Sequence, residues 1–198
     1  LFRSFVEPWF RWDTGWYAFI AHDGYATNID SIIFPPLYPT LMRGLAPIFG
    51  GDYIVSGLVI STVALFFALV FLFKIVAADE NERIARWAVI ALALYPASFF
   101  LLAAYTESLF LALMLGAWWM VMQKRYWIAG ILAFFAALTR SQGWALAIPF
   151  GYMVYVAPQN GNWIKAVRYW LTHLIEALRP LPAVLGGLIG TLTYVFGM

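Results

Sequence analysis

The chain has 198 residues, of which 64% are hydrophobic, 19% aromatic and only 11% charged, with a net charge of +2 and a mean hydropathy of +0.80. A soluble domain carries roughly 25% charged residues, so this chain lacks the material for a water-facing surface and reads as an all-α integral membrane protein. The small net charge gives no basis for a nucleic-acid partner, and the absence of cysteine excludes disulfides and thiolate metal sites.

Residues 1 to 52 form a more polar leading segment, with Glu7, Asp13, Asp23, Asp30 and Asp52 among many aromatics. A short helix is predicted over Thr14 to Ala21, with Asp13 as its N-cap and Gly24 just past its end. Pro35, Pro36 and Pro39, in IIFPPLYP, predict an extended or turning backbone. Irregular backbone of this kind belongs at the membrane interface or against protein rather than facing lipid.

From residue 53 to 198 the chain is predicted to be a transmembrane helical bundle of about five to six spans or half-spans. Tyr53 to Val76 is long enough to cross ~30 Å of hydrocarbon at ~1.5 Å per residue. Ile84 to Leu102 follows, broken at Pro96, and then the shorter stretches Glu107 to Met122, Trp127 to Leu138, Trp144 to Val156 and Leu181 to Phe196. The chain starts at Leu1 and stops at Met198 within an apolar run, so it is expected to be a piece of a longer protein with spans beyond both ends.

Orientation follows from the basic residues. With residues 1 to 52 on the non-cytoplasmic side, the loop at 77 to 83, that at 123 to 126 and the long one near 157 to 180 are cytoplasmic. Lys74, Arg83, Arg86, Lys124, Arg125, Lys165, Arg168 and Arg179 then lie inside, against Arg3, Arg11, Arg43 and Arg140 outside. That bias obeys the positive-inside rule. It also delivers three polar clusters to the non-cytoplasmic face: the N-terminal segment with RWDTGWY, the YPASFFLLAAYTES turn at 95 to 108, and the LTRSQG turn at 138 to 143.

Each cluster has two readings. Asp13 either caps a helix or pairs with Arg11, or else it acts as a general base, with Trp12, Trp16 and Tyr17 as an apolar or sugar-stacking wall. His22 and Asp23 are either a metal or acid–base pair or a polar helix C-terminus closed by Gly24; being adjacent on a helix, their side chains are expected to point in different directions, which favours the second. Glu107 at a span start suits the helix dipole, yet an ionisable group at membrane depth also marks a cavity or a partner. Tyr105 and Ser108, three apart, are expected to share a helix face beside it. Arg140 either snorkels from a span end or binds phosphate with its planar fork, helped by Thr139, Ser141 and Gln142; Glu107 is an alternative partner for it. The pairs His22/Asp23 and Asp79/Glu80 lack metal-ligand spacing, and no metal is expected.

In order, RWDTGWYAFIAHDGY, FPPLYP, YPASFFLLAAYTESLF and LTRSQG resemble the PIG-V family of polytopic mannosyltransferases, relatives of the eukaryotic GPI second-mannose transferase within the GT-C class. The resemblance runs from about residue 11 to 143. It implies a non-cytoplasmic catalytic loop, a polyprenyl-phosphate sugar donor and a glycan or glycolipid acceptor. It implies Asp13 as the catalytic acid residue after Arg-Trp, with Arg140 and Glu107 in further polar motifs. The chain departs from the family pattern at His22-Asp23, where the acid is expected before the histidine.

The implied reaction is inverting transfer of a hexose, mannose by resemblance, from lipid phosphate to an acceptor hydroxyl. Asp13 would deprotonate the acceptor, while Arg140 with Arg11 would hold the donor phosphate. A departing monophosphate does not demand a chelated metal, so a metal-independent reaction is expected. The enzyme would be a multi-pass protein, in the plasma membrane if prokaryotic or the endoplasmic reticulum if eukaryotic. Two alternatives stay open: the same class with glucose or a pentose, and a lipid or sugar transporter, although transporters place their sites near the bilayer midplane.

Overall fold

The computed structural model describes residues 12–25 and 29–197, all of it helix, turn or loop with no strand among them. The chain divides into two compact units, Leu1–Ala112 and Leu113–Gly197, the boundary falling inside one helix. Arg11, named above with the donor phosphate, lies outside the described residues.

In the first unit, α1 spans Asp13–Asp23 and stops where Gly24 takes φ 81, its N–H still bonded to the Ile20 carbonyl. Asp13 is not the cap. Trp12 holds that place at φ 47, ψ −123, and Asp13 is the first helical residue. A 3₁₀ turn, Ile29–Ile33, leads to the proline cluster. That cluster does not run extended; Pro36 caps α2, Leu37–Leu45, and Pro39 lies in its first turn. The first turn of a helix leaves its N–H groups unbonded, so proline costs nothing there.

Helix α3, Tyr53–Asp79, opens with Asp52 accepting from the Ile54 and Val55 amides at 2.9 and 3.0 Å. Its 27 residues extend ~40 Å at ~1.5 Å each, and it is the one helix among those described that is both long and apolar enough to cross a membrane. Its buried stripe is made of small residues: Ser56, Gly57, Ser61, Ala64 and Ala68. Val63, Phe66 and Phe67 stand exposed on the other side, as a lipid-facing surface requires. Helix α4, Glu82–Ala93, packs on α3 and is capped by Asn81. The chain breaks at residues 94–98, around Pro96 as predicted, before the single turn α5, Phe99–Leu102.

The small stripe of α3 receives Tyr38 of α2. This fully buried ring donates its hydroxyl proton to the Gly57 carbonyl at 2.9 Å and meets the Ser61 hydroxyl at 2.8 Å. Ser61 in turn donates to the Tyr105 carbonyl at 3.1 Å. A buried polar chain of this sort is stable because every member finds a partner, and it ties α2, α3 and the turn before α6 into one body. Burial raises the Tyr38 phenol well above its ordinary value; the Ser61 bond partly offsets this, and Tyr17 and Glu107 add to it.

Helix α6, Glu107–Met122, carries the boundary between the units. In the second unit, α7, Tyr126–Thr139, packs along α11, Leu181–Phe196. Backbone touches backbone there: a Cβ on Gly130 would strike the Pro182 carbonyl, one on Gly186 the Gly130 carbonyl, and one on Gly190 the Phe134 carbonyl. Gly186 and Gly190 form the small-xxx-small pattern by which helices approach closely in lipid, where no hydrophobic drive exists between them. Gly186→Leu is therefore expected to destabilise the protein by about 1–3 kcal/mol, as overpacking does. Thermal unfolding checks this against Gly151→Ala, a site with open space around it, which should be nearly neutral.

The apolar stretch predicted over Trp144 to Val156 is not one helix. It is a 3₁₀ segment Ser141–Leu146, α8 Ala147–Gly151, a π turn Tyr152–Val156 and a 3₁₀ turn Ala157–Gln159. Pro149 and Pro158 withhold amide donors, so the hydrogen-bond register shifts from turn to turn. An amphipathic helix, α9 Trp163–Thr172, and the short α10, Leu174–Leu178, lead into α11.

Candidate functional site

The start of α1 is fastened to the turn that precedes α6. The buried Thr14 hydroxyl donates to the Ala104 carbonyl at 3.4 Å, and the Tyr17 and Thr106 hydroxyls lie 3.4 Å apart. Trp12 tilts over Phe100 with centroids 6.2 Å apart, and Phe100 stacks on Tyr105 at 5.7 Å. Two clusters distant in sequence, around Asp13 and around Glu107, are thus brought together in the first unit.

Asp13 is exposed and Glu107, the first residue of α6, is half-buried. Both act on the same group. The Tyr105 phenol is pushed above its ordinary value first by burial and then by the negative charge of Asp13; a hydrogen bond with Thr14 works the other way, and Glu107 raises it further. Tyr105 therefore stays protonated at neutral pH. It does not share a helix face with Ser108, because α6 begins only at Glu107; Ser108 instead donates to the Leu101 carbonyl.

Beside Asp13 runs a shallow groove of about 320 Å³ lined by Trp12, Gly15, Trp16 and Phe19. Trp12 is 71% exposed. Tyr17 departs from the expected aromatic wall: its ring is buried against Phe34 and Tyr38, each 5.2 Å away, while Trp16 stacks on Phe34 at 5.6 Å. The wall is made by two tryptophans and Phe19, and Tyr17 anchors it from beneath. The backbone at Trp12 is strained, since φ 47 with ψ −123 is poorly accessible to a residue with a side chain; such strain costs of order 1–3 kcal/mol and gathers at functional sites.

The far end of α1 is closed by side chains that sequence reasoning passed over. Arg43 of α2 donates from Nε to the Ala21 carbonyl at 2.6 Å and from Nη2 to the His22 carbonyl at 2.8 Å, satisfying carbonyls that have no partner inside the helix. His22 and Asp23 do not diverge. Their side chains meet, Nδ1 to Oδ1, at 2.7 Å at the exposed last turn of α1, just before Gly24. No group of three or more His, Asp or Glu gathers as a metal site among the described residues.

In the second unit, Arg140 follows directly on α7 with extended backbone, φ −146 and ψ 136. Its amide is held by the Ala136 carbonyl and its own carbonyl by the Gly143 amide, each at 3.0 Å. Gly143 is obligatory, since a Cβ there would overlap the Ala137 backbone. Ser141 and Gln142 are exposed at the start of the 3₁₀ segment, and the half-buried Arg140 stands beside them. Thr139 is not part of that polar set: its hydroxyl bonds back to the Phe135 carbonyl at 2.8 Å.

A helix long and apolar enough to cross a membrane, and helices packed closely through small residues, fit a helical membrane protein. The family model "Mannosyltransferase (PIG-V)" matches residues 2–161. The chain is 34% identical over 146 residues to the GPI alpha-1,6-mannosyltransferase 2 of Cricetulus griseus, which covers 67% of the chain and 29% of that protein. It is 28% identical to the GPI mannosyltransferase 2 of Schizosaccharomyces pombe, over 76% of the chain and 33% of that protein. Identity to the human GPI alpha-1,6-mannosyltransferase 2 is 30%, over 67% and 29%. The chain belongs to the PIG-V mannosyltransferase family. It spans about a third of the length of these relatives. No solved structure matches it.

Proposed function

We propose that this chain is part of a multi-pass membrane enzyme that transfers a mannosyl group, with inversion, from a polyprenyl phosphate to an acceptor hydroxyl on the non-cytoplasmic face. The observation that carries the reading is Asp13 itself. It is exposed at the first residue of α1, behind a strained tryptophan and beside an aromatic groove, in a chain of a mannosyltransferase family.

In this reading Asp13 takes the proton of the acceptor hydroxyl as its oxygen attacks the anomeric carbon. The bond between that carbon and the phosphate oxygen breaks, and the phosphate leaves with the electron pair. Arg140, with Arg11, neutralises the charge that develops on it. Trp12 and Trp16 offer flat apolar faces to a sugar ring, and Tyr105, Glu107, Ser141 and Gln142 supply hydrogen bonds to the substrates. The names of the relatives point to a glycosylphosphatidylinositol glycolipid and an α-1,6 linkage as acceptor and product. Transfer without a resident metal is part of the proposal, since the leaving group is a single phosphate.

The test is transfer by the purified protein in liposomes, with polyprenyl-phosphate mannose or a nucleotide-linked mannose as donor. Product is expected from the lipid donor alone, at a rate unchanged by EDTA. Transfer from the nucleotide sugar instead would overturn the donor assignment, and loss of activity on chelation would overturn metal independence.

A further inference from the structure

The second unit carries a polar pocket at the opposite end of α7 from Arg140. Helix α6 ends there in a paired C-terminal turn, with the Lys124 amide bonded to the Val121 carbonyl at 2.9 Å and the Arg125 amide to the Met120 carbonyl at 2.8 Å. The residue at the left-handed position of such a turn is ordinarily glycine. Here it is Lys124, at φ 58. A side chain is kept where none would be easier on the backbone.

That side chain lines a pocket of about 790 Å³ together with Arg125, Arg179, Tyr169, Trp170 and Glu176. The walls are braced. The Trp170 indole N–H donates to the Tyr155 carbonyl and the Tyr155 hydroxyl to the Ala177 carbonyl, both at 2.8 Å. Glu176 accepts from the Tyr169 hydroxyl at 3.4 Å. Three basic residues and one acidic residue thus line the pocket, an excess of positive charge.

Trp127 borders this pocket and also a second one, an apolar groove of about 640 Å³ between α7 and α11. Ile131, Phe134, Phe135, Leu185 and Ile189 line the groove. From Trp127 to Phe135 the helix advances ~12 Å at ~1.5 Å per residue, room for a stretch of acyl chain. A cationic pocket that shares a wall residue with an apolar groove matches a molecule with a phosphate at one end and hydrocarbon at the other.

We infer that the pocket bounded by Lys124, Arg125 and Arg179, with the groove between α7 and α11, binds an anionic glycerophospholipid. The phosphate sits among the three cations and an acyl chain lies along Ile131, Phe135 and Ile189. Basic pockets beside membrane helices recognise anionic headgroups in this manner, and the guanidinium forks suit a phosphate. A zwitterionic lipid brings its ammonium group to the same cations and is disfavoured. Lys124, Arg125 and Arg179 all belong to loops assigned to the cytoplasmic side by the positive-inside rule. The site is independent of the mannosyl-transfer reading.

The test is native mass spectrometry of the purified protein from micelles holding equal amounts of phosphatidylglycerol and phosphatidylcholine. Wild type is expected to retain phosphatidylglycerol in preference, and the preference should fall by about fivefold for each cation removed in Lys124→Gly and Arg179→Gln. Lys124→Gly keeps the fold honest, because glycine suits φ 58; its unfolding temperature should equal or exceed that of wild type. Ile131→Ser should weaken retention of both lipids. Equal retention of the two lipids by wild type, or an unchanged preference in the Lys124→Gly/Arg179→Gln double variant, overturns the site. Full displacement of the bound lipid by millimolar inorganic phosphate overturns the acyl-chain groove and leaves an anion pocket in its place.

Discussion

Asp13→Asn is expected to lower kcat for mannosyl transfer by about 10²–10⁴-fold, the range lost when a general base is removed. The protein should still fold. Trp12, not Asp13, occupies the cap of α1, so asparagine leaves the cap in place and gives up a favourably placed charge in the first helical turn, an effect of about 1 kcal/mol. Thr14, Tyr17 and Phe34, which fasten this end of α1, are untouched. Transfer assays paired with thermal unfolding of the same preparation separate the two effects. Activity kept at the wild-type level would move the search for the base to Glu107, whose charge also acts on the Tyr105 phenol, or to Asp23.

Arg140→Gln should cost about 10²–10³-fold in kcat, the scale on which one charged or hydrogen-bonding group stabilises a developing negative charge. The backbone at this position is held by the Ala136 carbonyl and the Gly143 amide, so glutamine can take the same extended conformation without disturbing α7. Arg140→Lys is the informative companion. It retains the charge but not the bidentate fork, and it should recover only part of the rate. The measurement is the rate as a function of polyprenyl-phosphate mannose concentration. A variant with unchanged kcat and KM would reduce Arg140 to a snorkelling residue at the end of α7.

Much of the helical layout was legible in the residues themselves. Helix α3 begins at the predicted Tyr53, with Asp52 capping it, and α6 and α11 run over the predicted Glu107 to Met122 and Leu181 to Phe196. The break near Pro96 and the stop of α1 at Gly24 also follow from single residues. These features depend on neighbours in the chain: an unbroken apolar run, a cap, a glycine, a missing amide. The proline cluster misled, because proline breaks a helix interior but opens a helix start equally well, and nothing local distinguishes Pro36 from a loop proline.

The site was legible in part. Residue types picked out Asp13 and Glu107, and the fold gathers both about Tyr105. Tyr17 looked like a wall residue and lies buried instead; Arg43, which closes α1, gave no signal at all. The close approach of α11 to α7 at Gly186 and Gly190 was not read from the sequence, because two small residues four apart do not name a partner.

Composition and local pattern by themselves determined a helical membrane protein, the start or end of several of its helices and the family to which it belongs. Tertiary structure alone decided that Tyr38, Ser61 and Tyr105 form one buried polar chain, that Trp12 carries the strain before Asp13, and that α7 and α11 meet backbone to backbone. The physical reason is one of range. Caps and hydropathy act over a few residues, whereas a buried hydroxyl or a bare glycine backbone finds its partner only when distant segments have been packed together.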